Sequence, residues 1–370
     1  MADPFACRGG HPLGDPQGFR SAGVEVTTHM WATFGQDGVV RALEQSLRDG
    51  SLAHAYLVVG PARVGKGTLA RDLAQAVNCL NPDSAPCLEC AQCARIAAGR
   101  HADVVTLAVE EAEGHKELRL DQVREALRMA SLLPYEGRWR VFIIDGAEEL
   151  NDESANALLK SLEEPPPRVL WLLLTGDEDR VHATVRSRCQ RIVFRPLSAE
   201  QIALCLREHH AAPPEQALLL GRLARGALGW ALHALRDVTV LEARTRTLDR
   251  LAGMTSATLE ERFAYASELA GLIPRERTAL RESLDLWACW WRDILLLLTG
   301  VPQAVWNQDR LEELRERAPA FRPAEAAVVV QLILQARQHL DMNVNPRLAL
   351  EHLMLRVPQS TAAAPAAPSR

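Results

Sequence analysis

The stretch AYLVVGPARVGKGTLA, residues 55–70, decides the fold class. It opens with an apolar run, continues with a loop that fits G-x-x-x-x-G-K from Gly60 to Lys66, and ends in a helical pattern. Glycines let backbone N–H groups curl around phosphate oxygens, Lys66 neutralises their charge, and the helix N-terminus adds its positive dipole end. Because the motif is specific only between a strand and a helix, this setting predicts a phosphate-binding loop. The alternative is a glycine-rich turn that fits by chance.

The residue after the loop lysine is normally Ser or Thr, whose hydroxyl binds Mg²⁺. Here Gly67 occupies that position, and Thr68 follows about 100° further round the helix. We therefore expect Mg²⁺ coordination to be weak or absent. The nucleotide-binding residues predicted from this loop are Gly60, Gly65, Lys66, Gly67 and Thr68.

Short apolar runs bounded by turn residues alternate with helical patterns up to about residue 195. This alternation predicts an α/β fold with a parallel sheet, whose strands are buried on both faces. Beyond residue 196 the pattern is helical throughout. The predicted strands are AYLVVG, DVVTLAV, RVFIID, VLWLLLTG and QRIVFRP.

The run RVFIIDGAEEL, residues 140–150, predicts a buried strand that ends in Asp145, where P-loop proteins place a second magnesium anchor. Gly146 follows where an ATP-hydrolysing protein is expected to carry a carboxylate. Glu148 and Glu149 are close in sequence, but we expect them to point elsewhere, as a solvated helix start. Thr175 ends the next strand, near the place of a γ-phosphate sensor.

Length and composition exclude several classes of protein. A chain of 370 residues predicts two or three domains, and a net charge of −5 argues against unaided binding to nucleic acid. We find neither a membrane-length apolar run nor a signal-peptide pattern, so we expect a cytoplasmic protein with no membrane partner. Residues 1–29 and 359–370 are rich in Gly, Pro or Ala and predict disordered ends, and translation could start at Met1 or Met30.

Four of the eight cysteines lie in one insert after the phosphate-loop helix. Cys79, Cys87, Cys90 and Cys93 give the spacing C-x7-C-x2-C-x2-C. Four thiolates suit tetrahedral Zn²⁺ and leave no open position for a catalytic water, so the predicted site is structural. The alternative is four free thiols on an exposed loop. Among the other cysteines, we expect buried apolar positions for Cys189, Cys205 and Cys289.

Taken together, the residues resemble the bacterial clamp-loader subunits of the DNA polymerase III holoenzyme, over residues 31–240 and more loosely over the helical remainder through NVNPRLALEHLML, residues 343–355. The segments that carry the resemblance are GQDGVVRALEQSLRDGSLAHAYLVVGPARVGKGTLA, the four-cysteine insert, NALLKSLEEPPP and TVRSRCQRI. The resemblance implies an AAA+ ATPase-like core over residues 30–196 that includes the zinc module at 79–93. A small helical lid over 197–240 and an all-α collar for assembly over 241–358 would follow.

The departures from the family pattern indicate the branch. The gamma/tau motor subunits carry Asp-Glu in the second motif and Ser or Thr after the loop lysine, where this chain has Gly146 and Gly67. That combination is similar to the delta prime branch, which hydrolyses little or no ATP and completes the ring. The resemblance then implies that Arg188 of Ser187-Arg188-Cys189 acts as an arginine finger, in trans, on ATP held by the neighbouring motor subunit. The alternative for Arg188 is a salt bridge at a helix end.

The implied partners are the gamma/tau and delta subunits in a hetero-pentamer, the sliding clamp, and primer-template DNA within the complex only. The chain would thus belong to a DNA-directed DNA polymerase complex, with structural zinc and with ATP and Mg²⁺ as optional ligands. Three alternatives stay open: a gamma/tau-like motor, an AAA+ remodeller in which Glu148 serves as the base, and a scaffold with a vestigial phosphate loop.

The helical part contains a glycine-rich turn and a group of three tryptophans. In the lid we expect two helices joined by a turn at Gly226 and Gly229, with Arg225 as the candidate for a sensor arginine near Trp230. Further on, three tryptophans recur at helical spacing, which indicates either a buried core stripe or a subunit contact. They are Trp287, Trp290 and Trp291.

Overall fold

The computed structural model describes residues 31–112, 115–271, 277–342 and 344–360. The predicted N-terminal extension, Met30 and most of the predicted C-terminal tail lie outside these residues. Two compact units make up the chain. The first runs to Ala217 and also contains Gly226–Leu232, whereas the second contains Leu218–Arg225 and the chain from His233 onward. The helices predicted for the lid are therefore shared between the units, and the three-domain division stays a prediction.

A five-stranded sheet forms the centre of the first unit, and its strands, counted along the chain, lie side by side in the order second, third, fourth, first and fifth. Neighbouring strands pair in parallel throughout, which confirms the predicted parallel sheet. Each predicted strand lies within three residues of the observed bounds. The strands are β1 (Ala55–Val59), β2 (Val104–Ala108), β5 (Arg140–Asp145), β6 (Val169–Thr175) and β7 (Gln190–Val193), and a separate two-stranded sheet contains β3 (Glu110–Ala112) and β4 (His115–Glu117).

Alternating side chains of the central strands enter two hydrophobic cores, one on each face of the sheet. Val58 and Leu172 lie in one core, while Leu57 and Phe142 lie in the other. Phe142 stacks on Trp171 with ring centroids 4.4 Å apart. This burial on both faces explains why the strands read as continuous apolar runs.

Helices cover the sheet and end where the sequence requires. The helix that carries Lys160 has Asn151 as its N-cap, whose side chain accepts from the Ser154 N–H, and it ends before the prolines at 165–167. The helices of this part are α1 (Asp37–Arg48), α2 (Lys66–Asn78), α3 (Ala91–Ala97), α4 (Leu120–Ala130), α5 (Asp152–Glu163) and α6 (Ala183–Arg186).

Three helices occupy the predicted lid segment: α7 (Ala199–His210), α8 (Pro214–Leu223) and α9 (Leu228–Arg236). Gly226 lies in the predicted turn with φ +90°, and a Cβ there would meet the Pro196 Cβ at 2.3 Å. The prediction that Gly229 also belongs to the turn is wrong, because Gly229 lies inside α9. Its N–H donates to the Arg63 carbonyl at 2.8 Å, so a missing side chain there permits close packing on the phosphate loop.

From His233 onward, the described residues of the second unit form helices and the turns that connect them, without a strand. Its first helix passes through residue 240, so the predicted boundary between lid and collar falls inside a helix. No helix in the described part of the chain is long and apolar enough to span a membrane. The helices are α10 (Thr239–Gly253), α11 (Leu259–Gly271), α12 (Arg277–Leu298), α13 (Leu311–Arg317), α14 (Pro323–Asp341) and α15 (Pro346–Arg356).

The tryptophan stripe belongs to the core of this unit. Trp287, Trp290 and Trp291 on α12 are fully buried, each with 0% exposure. Trp291 meets Phe321 edge to face, with ring centroids 4.9 Å apart. Side chains that are buried within one chain cannot form a surface for another, so the structure supports the core interpretation over the subunit contact.

Candidate nucleotide, arginine-finger and metal sites

The phosphate loop connects β1 to α2, as the sequence predicts. Gly65 is the N-cap of α2 with φ +107°, a left-handed conformation that glycine adopts at no steric cost. The Lys66 ammonium folds back over the loop and donates to the carbonyls of Gly60, at 2.6 Å, and Pro61, at 2.9 Å. The start of α2 and its lysine are thus in place for an anion.

Packing does not require a glycine at position 67, where the magnesium-binding hydroxyl is missing. Gly67 is exposed in the first turn of α2, and a Cβ at this position would have nothing within 4 Å. Thr68 is partly buried one position further on. Space for a serine or threonine side chain therefore exists, and the sequence does not use it.

Two carboxylates act on the loop lysine. Burial lowers the pKa of Lys66 from its ordinary value, and the negative charges of Glu148 and Asp145 oppose that lowering. Asp145 is exposed at the end of β5, beside the strand that carries the sensor position. The structure therefore brings Lys66, Asp145 and Glu148 into one electrostatic site.

Gly146 occupies a backbone conformation that disfavours a side chain, including that of the usual base. Its φ is +93°, and a Cβ at this position would lie 2.7 Å from Cγ2 of Val109. A left-handed residue other than glycine costs of order 1–3 kcal/mol. The backbone conformation after β5 therefore favours glycine at this position and disfavours a residue that carries a carboxylate.

Replacing Gly146 with glutamate, which would supply the missing carboxylate, is expected to lower the free energy of unfolding by about 1–3 kcal/mol, because it adds backbone strain and a clash with Val109. Urea unfolding measures the loss. The control is Gly67→Ala, which enters open space in a helix and is expected to raise stability by up to about 1 kcal/mol. Equal stability of Gly146→Glu and the parent chain would contradict the assigned strain.

The predicted sensor residue is engaged locally. Thr175 is buried, its hydroxyl donates to the Asp177 carbonyl at 2.9 Å, and the same oxygen accepts from the Asp177 N–H at 3.0 Å. The next residue, Gly176, donates its N–H to Oε1 of Glu148 at 3.1 Å. At the end of β6, the Gly176 N–H is therefore bound by Glu148, and the Thr175 hydroxyl is bound by Asp177.

The expectation that both glutamates after Gly146 point elsewhere is wrong for Glu148. A 3₁₀ turn, Ala147–Glu149, directs Glu148 to Gly176 while Glu149 pairs with Arg180 at 3.4 Å. Sequence reasoning missed this placement because it assumed a regular helix start. The sequence feature that indicates this placement is Gly146, because a left-handed residue after a strand changes the direction of the chain.

Arg188 lies on the surface directly after α6, at a helix end before β7 as predicted. Its guanidinium pairs with Glu163 at 2.6 Å and donates to the Thr184 carbonyl at 2.9 Å and to Ser187 Oγ at 3.1 Å. About a third of the side chain, 35%, is exposed. In the isolated chain Arg188 thus makes the helix-end salt bridge that the sequence left open as an alternative.

The four clustered cysteines converge. Cys79, Cys87, Cys90 and Cys93 place their sulfur atoms within 4.8 Å of one another. With Zn–S bonds of about 2.3 Å, a tetrahedral site needs sulfurs about 3.8 Å apart, so a small contraction suffices. Three of the four cysteines are buried, and backbone N–H groups of the module already donate to the sulfurs of Cys79, Cys87 and Cys90. These residues could therefore hold a metal ion.

Among the remaining cysteines, Cys205 and Cys289 are buried, as predicted, while Cys189 is partly exposed. Burial nevertheless raises the pKa of Cys189 to about 12. The candidate sensor Arg225 donates to Cys289 Sγ at 2.7 Å, so α12 engages its guanidinium. Trp230 lies in the first turn of α9.

The fold and these sites define the class of protein. A parallel sheet in the order β2-β5-β6-β1-β7 carries a phosphate loop after the interior strand β1 and an aspartate at the end of β5. Helices alone follow the sheet in the described chain. This is the P-loop core of the AAA+ class with a helical C-terminal region.

Comparison with known proteins gives the family. Residues 35–198 match the family model described as "DNA polymerase III, delta subunit", and residues 228–359 match "DNA polymerase III, delta subunit, C terminal". The gamma subunit of DNA polymerase III from Buchnera aphidicola subsp. Acyrthosiphon pisum is 38% identical over 344 residues, which cover 87% of this chain and 94% of the relative. The chain therefore belongs to the clamp-loader family of DNA polymerase III subunits.

Relatives come from more than one branch of that family. The delta' subunit of Bacillus subtilis is 28% identical over 320 residues, 86% of this chain and 95% of its own length. The tau subunit of Escherichia coli is 31% identical over 342 residues, 87% of this chain and 52% of its own. The chain thus spans about half the length of the tau relatives that it matches.

Proposed function

We propose that this chain is the delta prime subunit of a bacterial clamp loader, which helps to load the sliding clamp on primed DNA and hydrolyses little or no ATP itself. Gly146 carries this proposal. Its left-handed backbone, and the 2.7 Å that would separate an added Cβ from Cγ2 of Val109, disfavour the carboxylate that a motor subunit carries at that position. Gly67 adds support, because the neighbouring magnesium ligand is missing although there is space for it.

In this function Arg188 acts on the neighbouring subunit. Its position at a surface turn after α6 suits a group that reaches another chain, and it would exchange its pairing with Glu163 for the phosphates of the ATP held there. The chain's own nucleotide pocket would comprise the loop from Gly60 to Thr68 and the ends of β5 and β6 at Asp145 and Thr175.

We assign structural Zn²⁺ to the four clustered cysteines. Their thiolates form a complete tetrahedral set, so the ion would supply folding energy to the module and no open coordination position for chemistry. Gln75 Nε2 donates to the Cys93 carbonyl at 2.9 Å and so links the module to α2. The metal would thereby stiffen the insert beside the phosphate-loop helix.

The proposed partners are gamma/tau and delta subunits in a hetero-pentamer, with the sliding clamp. A net charge of −5 fits a subunit that meets primer-template DNA only within the complex. The cytoplasmic location stays a prediction.

Reconstitution tests the proposal. The isolated chain is expected to release phosphate from ATP at background rate, because no carboxylate occupies the position of the base. Added to gamma/tau and delta subunits, it is expected to raise the turnover that clamp and primed DNA stimulate. Steady-state phosphate release measures both. No change in turnover when the chain is added would contradict the proposal.

A gamma/tau-like motor is the second candidate, favoured by the identity to gamma and tau relatives and by the closeness of Glu148 to Lys66. It predicts robust turnover by the isolated chain that Glu148→Ala abolishes. A scaffold with a vestigial loop predicts that nucleotide binding, if any is detected, is unaffected by Lys66→Ala.

A further inference from the structure

Three segments of the nucleotide pocket meet at the carboxyl edge of the sheet. β6 lies between β5 and β1, so its end separates the turn after β5 from the phosphate loop after β1. Backbone hydrogen bonds fix both neighbours to it: the Gly146 N–H donates to the Leu174 carbonyl at 3.1 Å, and the Gly60 N–H donates to the Thr175 carbonyl at 3.1 Å. A side chain that crosses the end of β6 therefore approaches the phosphate loop.

Glu148 is that side chain. Its Oε1 accepts from the Gly176 N–H at 3.1 Å, which places the carboxylate over the end of β6. Its Oε2 is shielded from solvent and has no hydrogen-bond partner among the described residues. The neighbouring Glu149 differs, because it pairs with Arg180. Only one of the two glutamates is thus placed at the pocket.

The carboxylate of Glu148 binds the strand-end N–H of Gly176 and adds negative charge near Lys66, two groups that a terminal phosphate would need. In a phosphate loop the backbone N–H groups cradle the α- and β-phosphates, and the lysine reaches the β- and γ-phosphates. Here the charge of Glu148 already acts on Lys66, and the strand-end N–H of Gly176 is already bound. A γ-phosphate would bring further negative charge beside a shielded carboxylate oxygen, whereas a diphosphate ends before that point.

Two further features remove support for a third phosphate. The Thr175 hydroxyl is engaged with Asp177, and Gly67 offers no hydroxyl for the Mg²⁺ that bridges the β- and γ-phosphates. The α- and β-phosphate cradle at the start of α2 is unaffected by either feature.

We propose that Glu148 determines the nucleotide specificity of this pocket, and that the ligand it selects is a nucleoside diphosphate. Its carboxylate lies where the terminal phosphate of a triphosphate would bind, and its negative charge repels that phosphate. This inference rests on the proposed function in so far as it takes the phosphate loop to bind nucleotide.

Titration calorimetry with the full chain and Mg²⁺ tests this, using ADP and a non-hydrolysable ATP analogue as probes. The parent chain is expected to bind ADP about 10-fold more tightly than the analogue, or more. Glu148→Gln keeps the acceptor for Gly176 and removes the charge, so it is expected to tighten analogue binding about 10-fold while ADP binding changes less than about 2-fold. Glu149→Gln is the matched control and is expected to change neither constant.

Two outcomes would overturn the inference. One is an ADP-to-analogue ratio that Glu148→Gln leaves unchanged or shifts toward ADP, as expected if Glu148 served a motor. The other is a parent chain that binds neither probe. The proposed function is judged separately, because stimulation of motor subunits through Arg188 does not require nucleotide in this pocket. Thermal unfolding of each variant checks that binding differences do not reflect loss of folding.

Discussion

Replacing Arg188 with alanine is expected to abolish most of the ATP turnover at the motor site next to this subunit in a reconstituted clamp loader. An arginine finger contributes about 10³ to 10⁵ in rate where it stabilises the charge of the transferring phosphoryl group. Total turnover by the complex should therefore fall to that of the motor sites that do not face this chain. Phosphate release in the presence of clamp and primed DNA measures the loss, and complex formation on a sizing column should be unchanged.

The resting contact of Arg188 with Glu163 is weak enough to be exchanged in the proposed finger role. Arg188 pairs with Glu163, whose side chain is 48% exposed, and exposed pairs of this kind contribute about 1 kcal/mol or less. Exchanging that pair for the phosphates of a bound nucleotide therefore costs little. Under the proposed function, the salt bridge and the finger would be two states of one side chain, one in the free subunit and one in the complex.

Two variants separate a trans role from a structural one. Arg186 lies two residues earlier and pairs with Asp179 at 3.0 Å, so Arg186→Ala removes a comparable surface ion pair. Glu163→Gln breaks the resting contact of Arg188 and leaves the guanidinium in place. We expect near-normal turnover from both. If either lowered turnover as much as Arg188→Ala, local structure and not phosphate contact would explain the loss.

The sheet was predictable because its strands are buried on both faces. Runs such as VLWLLLT must pack on both sides, and their alternation with helices leaves parallel pairing as the arrangement. The same pattern predicts Asp145 and Thr175 at strand ends and Lys66 in the loop-to-helix segment after β1, since the carboxyl ends of parallel strands meet at one edge. Convergence of the four cysteines followed from their spacing within one short insert.

What the sequence could not supply depends on backbone dihedrals. Gly146 could be recognised as a missing base, but its φ of +93° is a property of the folded turn, and that turn directs Glu148 to Gly176. The engagement of Thr175 with Asp177 likewise depends on the tight bend after β6. Gly229 was assigned to a turn because glycine is common there, whereas its role is close approach to Arg63.

Replacing Cys93 with serine is expected to remove the zinc proposed for the four cysteines and to unfold the cysteine module. Cys93 is fully buried, and three remaining thiolates leave the tetrahedral set incomplete. Structural zinc contributes about 10–16 kcal/mol of apparent binding free energy at pH 7 in small zinc-dependent modules, so its loss exceeds what so small an insert can replace by packing. Metal analysis of the purified chain should give one zinc per parent chain and much less per variant.

The matched control is Cys189→Ser, which changes a cysteine outside the cluster and is expected to retain zinc. The contacts of the cysteine module with the rest of the chain indicate which residues should unfold with it. On α3, Gln92 donates to the Glu136 carbonyl at 3.0 Å and Arg95 pairs with the Glu136 side chain, so the loop before β5 depends on the module. Hydrogen exchange should therefore rise in residues 79–97 and 131–139 of Cys93→Ser and of chelator-treated parent chain, while the central strands stay protected. A parent chain without metal, with both segments protected, would show that the four thiols pack without an ion.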